Sequence, residues 1–257
     1  MLRDQKCVLI TGAGSGIGRA LAVEAARRGM VVALCGRRET ALEATAALLG
    51  RESQHLIIPA DITNPQDRGR IVATISDQWK ALDVLVNNAG VVEGGAIEKF
   101  DDDAIARTFF TNVIAPIALT RDLMPLLLAA KPSRVVNIGS VFGDIAYPLF
   151  SGYSASKFAL RGFSNALRRE WKNNGIGVTY AAPRATRTDA AVAFDELIAS
   201  TKMSVDVPAE VARKIWHSVA RGRDSIYAPA PERFYVLIQR IFPQIIDWAL
   251  SRQAPFH

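Results

Sequence analysis

The sequence predicts an α/β protein: one doubly wound parallel sheet with helices on both faces. Three observations predict it. Apolar runs of strand length alternate with longer stretches of helical period from one end of the chain to the other. Strands separated by helices pair through right-handed crossovers, which gives parallel order and buries both faces of the sheet. No repeat, linker or shift in composition interrupts residues 1–257, a length suited to a single core, so one domain is expected.

Each element has its local reason. Residues 6–11 read as the first strand and 16–28 as a helix that Gly29 is placed to end. A strand over 31–35 precedes a helix over Glu39–Leu49, with Gly50 behind it. A third strand spans 55–60, after which Asn64-Pro65 opens a helix, Asn as N-cap and Pro at the first helical position. Leu82–Asn87 is the fourth strand. Asp101–Ala130 reads as one long helix kinked at Pro116. Arg134–Gly139 is the fifth strand, Tyr153–Asn173 a helix and Gly177–Ala182 the sixth strand. No clean period marks 183–206. Pro208–Ala220 is helical, Ser225–Tyr227 a short last strand, and 232–252 an apolar helix with Pro243 as a break.

Composition removes several classes. With 49% hydrophobic and 22% charged residues the chain is globular, not disordered or collagen-like. Cys7 and Cys35 lie in apolar runs and read as small core residues, and no spacing suggests a metal site. Met1-Leu2-Arg3-Asp4-Gln5-Lys6 runs straight into the first strand, so no signal peptide is expected; no apolar run approaches a membrane span, and a cytoplasmic protein is the default. The net charge of +6 raises a nucleic-acid or membrane-surface reading. The arginines are scattered over many elements and no nucleic-acid motif is present, which disfavours the first.

The first strand ends in Thr11-Gly12-Ala13-Gly14-Ser15-Gly16-Ile17-Gly18, and a helix begins at once. Glycines at such a turn let the backbone approach a pyrophosphate, whose charge meets the free N–H groups of the helix N-terminus. This placement makes the expected architecture a single-domain Rossmann fold. A site for NAD(H) would carry an acid at the end of the second strand to bind the ribose 2′-hydroxyl. Gly36-Arg37-Arg38 stands there instead, two guanidiniums suited to a 2′-phosphate, and NADP(H) is the expected cofactor.

Tyr153 and Lys157 stand at i and i+4, on one helical face. A cation beside a phenol favours phenolate, which makes Tyr153 a proton donor to a carbonyl oxygen, or an acceptor in reverse. Ser140 lies just past the fifth strand, and Asn87-Asn88-Ala89-Gly90 ends the fourth. All these candidates converge on the carboxyl edge of the sheet, where open α/β sheets bind ligands.

With these residues the chain resembles the short-chain dehydrogenase/reductase family over nearly its whole length. The glycine-rich loop, the Asn-Asn-Ala-Gly element, the strand-five serine and the Tyr-x-x-x-Lys pair occur in the family's order. The resemblance implies Tyr153 as acid/base, Ser140 orienting the substrate oxygen, Lys157 holding the nicotinamide ribose and lowering the tyrosine pKa, and Asn112 supporting a proton-relay water. It implies further that Asp61, with Ile62, contacts adenine, that Asn88, Ala89 and Gly90 line the middle of the cofactor, and that Arg37 selects NADP. Plainer readings stand beside these: Asn112 as a plug in the kinked helix, Asp61 as a cap for the next one.

The family's Pro-Gly after strand six, followed by a threonine at the nicotinamide carboxamide, is here Pro183-Arg184-Ala185-Thr186-Arg187-Thr188, similar to a bacterial branch of the family. Pro183, Thr186 and Thr188 are the matching cofactor contacts. Arg184 and Arg187 read either as anion-recognising or as solvated loop residues. Residues 183–206, with Phe194, Leu197, Ile198 and Met203, are expected to form a substrate lid. Segment 232–252 is expected to pack in the core or at a homodimer or homotetramer interface, with peripheral membrane contact as the alternative.

The expected activity is hydride transfer between nicotinamide and a small carbonyl or secondary alcohol. Two rivals stand. One is a reductase of 3-oxoacyl thioesters carried on acyl carrier protein or coenzyme A; the other is a non-catalytic NADP-sensing protein.

Overall fold

The computed structural model describes residues 5–50, 55–186, 205–228 and 230–252. Seven strands form one parallel sheet in the order β3-β2-β1-β4-β5-β6-β7: β1 Cys7–Thr11, β2 Val31–Gly36, β3 Leu56–Pro59, β4 Val84–Asn87, β5 Ser133–Ile138, β6 Ile176–Pro183 and β7 Ser225–Ala228. The expected doubly wound architecture is present. The order reverses between β1 and β4, which opens a crevice at their carboxyl ends.

Strand side chains alternate between two apolar layers. Val8, Ile10, Val32, Leu34, Val84, Val86, Val136 and Ile138 face α1 (Gly16–Arg27) and α8 (Pro208–Ala220). Leu9, Ala33, Cys35, Leu85, Val135 and Val178 face the other layer, among residues of α3 (Pro65–Trp79), α5 (Ala115–Asp122) and α7 (Ser151–Glu170). Burial on both faces is why these strands read as continuous apolar runs. Each fully buried Leu or Ile stabilises the fold by about 1.5–3 kcal/mol. Trp216 joins α8 to α1, its indole N–H donating to the Leu21 carbonyl at 2.9 Å. Both cysteines are free and buried, as expected.

Helix ends differ from expectation in instructive ways. Asn64 does cap α3, accepting from the Gln66 and Asp67 N–H groups. Helix α2 closes earlier than expected, spanning Glu39–Ala46. Helix α7 starts two residues before Tyr153, so the tyrosine sits in its first turn.

The long helix expected over 101–130 is three helices, α4 (Asp102–Phe109), α5 and α6 (Met124–Ala129), and its interruption is not a simple kink at Pro116. A π turn over Phe110–Ile114 separates α4 from α5, closed by the Ala115 N–H to the Phe110 carbonyl. Pro116 has no N–H to offer the carbonyl four residues back, so the ladder changes register ahead of it. The C-terminal segment 232–252 breaks at Pro243 as expected, giving α9 (Ala230–Ile241) and α10 (Pro243–Ser251), parted at Phe242 because the residue before a proline is driven out of helical conformation. No helix among the described residues is long and apolar enough to cross a membrane.

Candidate active site

A cleft of about 1270 Å³ runs along the carboxyl edge of the sheet. It is larger than an ordinary single-ligand pocket. At the β1/β4 crevice Thr11 fastens the two strand ends together: its hydroxyl accepts from the Asn88 and Ala89 N–H groups, both at 3.0 Å, while the Asn88 amide donates to the Thr11 carbonyl at 2.8 Å. Gly12 (φ +66°) lies on this staple, and a Cβ there would fall 2.9 Å from the Ala89 Cα. A Cβ at Gly18 would fall 2.1 Å from the Gly12 carbonyl oxygen. The loop is therefore backbone packed on backbone. Ser15 caps α1 by its extended conformation, yet its hydroxyl takes none of the helix's N–H groups, which leaves the first turn's donors open toward the cleft.

Gly16, Ile17, Gly18, Arg37, Arg38, Asp61, Ile62, Asn88, Ala89, Gly90, Pro183 and Thr186 all line this cleft with Gly12 and Ser15. Arg37 and Arg38 stand exposed on its rim, Arg38 at the N-cap of α2. The Asp61 carboxylate accepts from the Thr63 N–H and hydroxyl at 2.9 and 2.7 Å, so it shapes the turn before α3 while bordering the cleft. Thr188, Arg187 and the expected lid residues Phe194, Leu197, Ile198 and Met203 lie outside the described residues. Arg184 borders the cleft and is paired within the chain rather than freely solvated: its guanidinium donates to the Asp206 carboxylate at 2.7 Å, and a bridge between Thr186 and Asp206 joins the same two stretches of chain.

Ser140, Tyr153 and Lys157 meet at the other end of the cleft. The Ser140 hydroxyl accepts from the Phe142 N–H at 3.1 Å and acts on the neighbouring Tyr153 hydroxyl, favouring its ionised form. The Lys157 ammonium lies 5.5 Å from the Tyr153 ring centre and donates to the Ile138 carbonyl at 3.1 Å. Helix α7 is held to the sheet by a buried polar thread in which the Asn87 amide donates to Asn137, and Asn137 to Ser164, both at 2.8 Å. Asn112 does not line the cleft. Its side chain receives the Val91 N–H at 2.8 Å and donates to the Val91 carbonyl and Ser156 hydroxyl at 2.9 and 3.1 Å, tying the π turn to the rim and to α7.

Electrostatics here run against one expectation. Burial pushes the Tyr153 pKa up to about 12, the Ser140 hydroxyl only partly opposing it, rather than Lys157 drawing it down. Burial also lowers Lys157 to about 8. Desolvation of each charged form outweighs the attraction that a phenolate–ammonium pair would gain.

Aromatic residues escaped the sequence reading. Phe142 stacks on Tyr147 with centroids 5.3 Å apart and meets the Tyr153 ring edge-on, Phe150 sits beside both Phe142 and Tyr153, and Tyr235 of α9 reaches the same cleft. Only Phe150 precedes a recognised motif closely enough to have drawn notice.

A parallel sheet with a glycine cradle at its switch point and a Ser–Tyr–Lys cluster on the same rim defines a nucleotide-binding oxidoreductase. The comparisons agree. A family model described as short chain dehydrogenase matches residues 6–197, and the chain belongs to this family, whose members act on CH–OH or carbonyl groups. The chain is 32% identical, over 97% of its own length and 83% of the relative's, to a dehydrogenase/reductase SDR family protein 7-like of Anopheles gambiae. Among solved structures, a short-chain dehydrogenase from Streptomyces avermitilis aligns with TM-score 0.83 at 27% identity, over 99% of this chain and all of that one. A short-chain dehydrogenase from Sphingobium yanoikuyae in complex with NADPH aligns with TM-score 0.80 at 29% identity, over 94% and 95% of the two chains.

Proposed function

We infer that this protein is a single-domain NADPH-dependent reductase of apolar ketones or aldehydes, able to run in reverse on secondary alcohols. One observation carries the reading: the open N-terminus of α1, the two rim arginines and the Ser140–Tyr153–Lys157 cluster border one continuous cleft. Gly12 and Gly18 let the loop close on Ala89 and on its own backbone, where a Cβ would collide, and this tight loop with the open first turn of α1 fits a pyrophosphate. Arg37 and Arg38 would hold the 2′-phosphate, following Gly36 where β2 ends without an acid, and Asp61 and Ile62 would hold the adenine. Asn88, Ala89 and Gly90 would border the central part, and Pro183, Thr186 and Thr188 the nicotinamide end. Similar solved structures hold NADPH in one case and NADH in another, so the choice of NADP(H) rests on the two arginines.

Once bound, the nicotinamide supplies or accepts the hydride. The protein's own groups handle the oxygen. Ser140 donates a hydrogen bond to the carbonyl oxygen, and Tyr153 gives it the proton. With its pKa pushed up to about 12, Tyr153 stays protonated at neutral pH, as a donor must. Lys157, still charged at pH 7 with its pKa near 8, favours the phenolate as it forms. Pro116 leaves the Asn112 carbonyl without the usual N–H four residues on, and that carbonyl would carry the relay water. The aromatic wall around Phe142 and Phe150 favours an apolar substrate over a phosphorylated one. Exposed Ile105, Phe110, Ile114, Ile117 and Phe158 on α4, the π turn, α5 and α7 support a homodimer or homotetramer built on this face.

The test is NADPH oxidation across aldehydes, ketones and 3-oxoacyl thioesters, with wild type and Tyr153→Phe compared. Turnover of free ketones, lost by at least about 100-fold in Tyr153→Phe, is expected. Preference for thioesters would move the reading to the carrier-bound substrates, and a Tyr153→Phe protein as active as wild type would overturn it.

A further inference from the structure

The backbone of Ser140 is held in an unusual way. The β5–β6 ladder ends with the Gly139 N–H donating to the Ala181 carbonyl at 2.7 Å. Beyond that bond the ladder stops, and the backbone offers Ser140 only the Gly143 N–H, which donates to its carbonyl at 3.0 Å within the turn. A side chain takes over: the Tyr180 hydroxyl, from the middle of β6, donates to the Ser140 carbonyl at 3.0 Å and accepts from the Ser140 N–H at 3.3 Å. One phenol thus restrains the peptide groups on both sides of the Ser140 Cα, and with them the direction in which that residue's Cβ leaves the chain. The Tyr180 residue is 1% exposed, so water does not compete for these bonds. Burial also holds its pKa far above the usual phenol range, which keeps the hydroxyl neutral and able to donate and accept together.

The chain gives up two side chains to make room for it. A Cβ at Gly139 would fall 2.1–2.3 Å from the Tyr180 ring and hydroxyl, and one at Gly143 would fall 2.2 Å from the hydroxyl. Neither glycine has a positive φ. They are glycines for space, not for conformation. The far end of the same turn is anchored by Asp144, whose buried carboxylate accepts from Tyr227 at 3.0 Å and pairs with Arg161 of α7 and Arg240 of α9.

We propose that Tyr180 is a positioning residue for the reaction: its hydroxyl holds both peptide groups of Ser140 so that the serine hydroxyl is presented to Tyr153 and the substrate oxygen. This rests on the roles inferred above for Ser140 and Tyr153. Tyr180 touches neither substrate nor cofactor and acts only through Ser140.

Tyr180→Phe keeps the ring and removes the two bonds. In single-turnover experiments with NADPH and the ketone reduced fastest in the screen, the rate falls about 10-fold. NADPH affinity, read by the nucleotide's fluorescence, stays within twofold of wild type. The decisive arm repeats the substitution in a Ser140→Ala background, where the proposal requires no further loss because there is no serine hydroxyl left to aim. A rate unchanged in Tyr180→Phe, or a full additional 10-fold loss in the Ser140→Ala background, would overturn the proposal. Failure of the underlying reading is separate: it is seen when Ser140→Ala and Tyr153→Phe themselves turn over like wild type.

Discussion

Two turns at the carboxyl edge of the sheet, the glycine-rich loop after β1 and the serine turn after β5, solve the same problem differently. Both must hold backbone in a fixed place beyond the last ladder bond. The first does it mainly by packing backbone on backbone, Gly18 on the Gly12 carbonyl and Gly12 on Ala89, with the short side chains of Thr11 and Asn88 stapling β1 to β4. The second does it with side chains from distant elements, Tyr180 from β6 at one end and Arg161, Tyr227 and Arg240 on Asp144 at the other. A turn made of glycines is rigid only while they stay glycines. A turn gripped by side chains can be loosened one bond at a time.

Substitutions should separate the two. Gly18→Ala is expected to have the largest effect, because its Cβ meets a carbonyl oxygen that cannot move without displacing the loop; NADPH binding by fluorescence titration falls by at least about 100-fold, and stability drops by about 3 kcal/mol in urea unfolding. Next comes the lysine whose carbonyl lies against Gly143. With the folded-state pKa of Lys157 depressed to about 8, this residue binds more protons in the unfolded chain above that pH, so its own contribution to stability rises as pH climbs from 8 toward 10. Lys157→Met removes this rise, and the difference between the two unfolding curves amounts to about 2–3 kcal/mol over that window.

Arg37→Asp acts on the rim rather than the loop. Loss of a charge-assisted bond to the 2′-phosphate, about 1.5–3 kcal/mol, shifts the ratio of kcat/KM for NADPH to NADH toward NADH by roughly 10- to 100-fold. An unchanged ratio would show that Arg38 or another group reads the phosphate. The smallest effect is a coupling. Gly143→Ala destabilises by about 1–3 kcal/mol, and adding Tyr180→Phe returns about 1 kcal/mol by removing the hydroxyl that the new methyl strikes. Strict additivity in thermal unfolding would mean that the two residues do not share the contact.

The glycine-rich loop was legible because its requirement is local: a close approach of backbone to phosphate needs glycine at set positions in a short stretch. So were Ser140, Tyr153 and Lys157, since a helical spacing and a strand end suffice to place them. Asn112 was found, but its side-chain partners Val91 and Ser156 were not, because they come from a rim loop and a helix distant in sequence. The π turn at Phe110–Ile114 was read as a plain proline kink: a proline announces that a bond is missing but not how the ladder will adjust. Arg184 read either as an anion-recognising or as a solvated loop residue, since nothing in its neighbourhood of sequence announces Asp206, which lies 22 residues on.

The sequence by itself determined the alternation of strands and helices, the nucleotide cradle, the rim arginines and the serine, tyrosine and lysine, all of which follow from periodicity and short-range spacing. Only the tertiary structure decided what holds them. Tyr180 reads as an ordinary strand residue, and Gly139 and Gly143 as ordinary turn residues, until β6 is paired with β5 and the phenol comes to lie under the serine. The physical reason is that hydrogen-bond partners and excluded volume are properties of distance in space, and a parallel sheet brings together residues that are 40 apart in the chain.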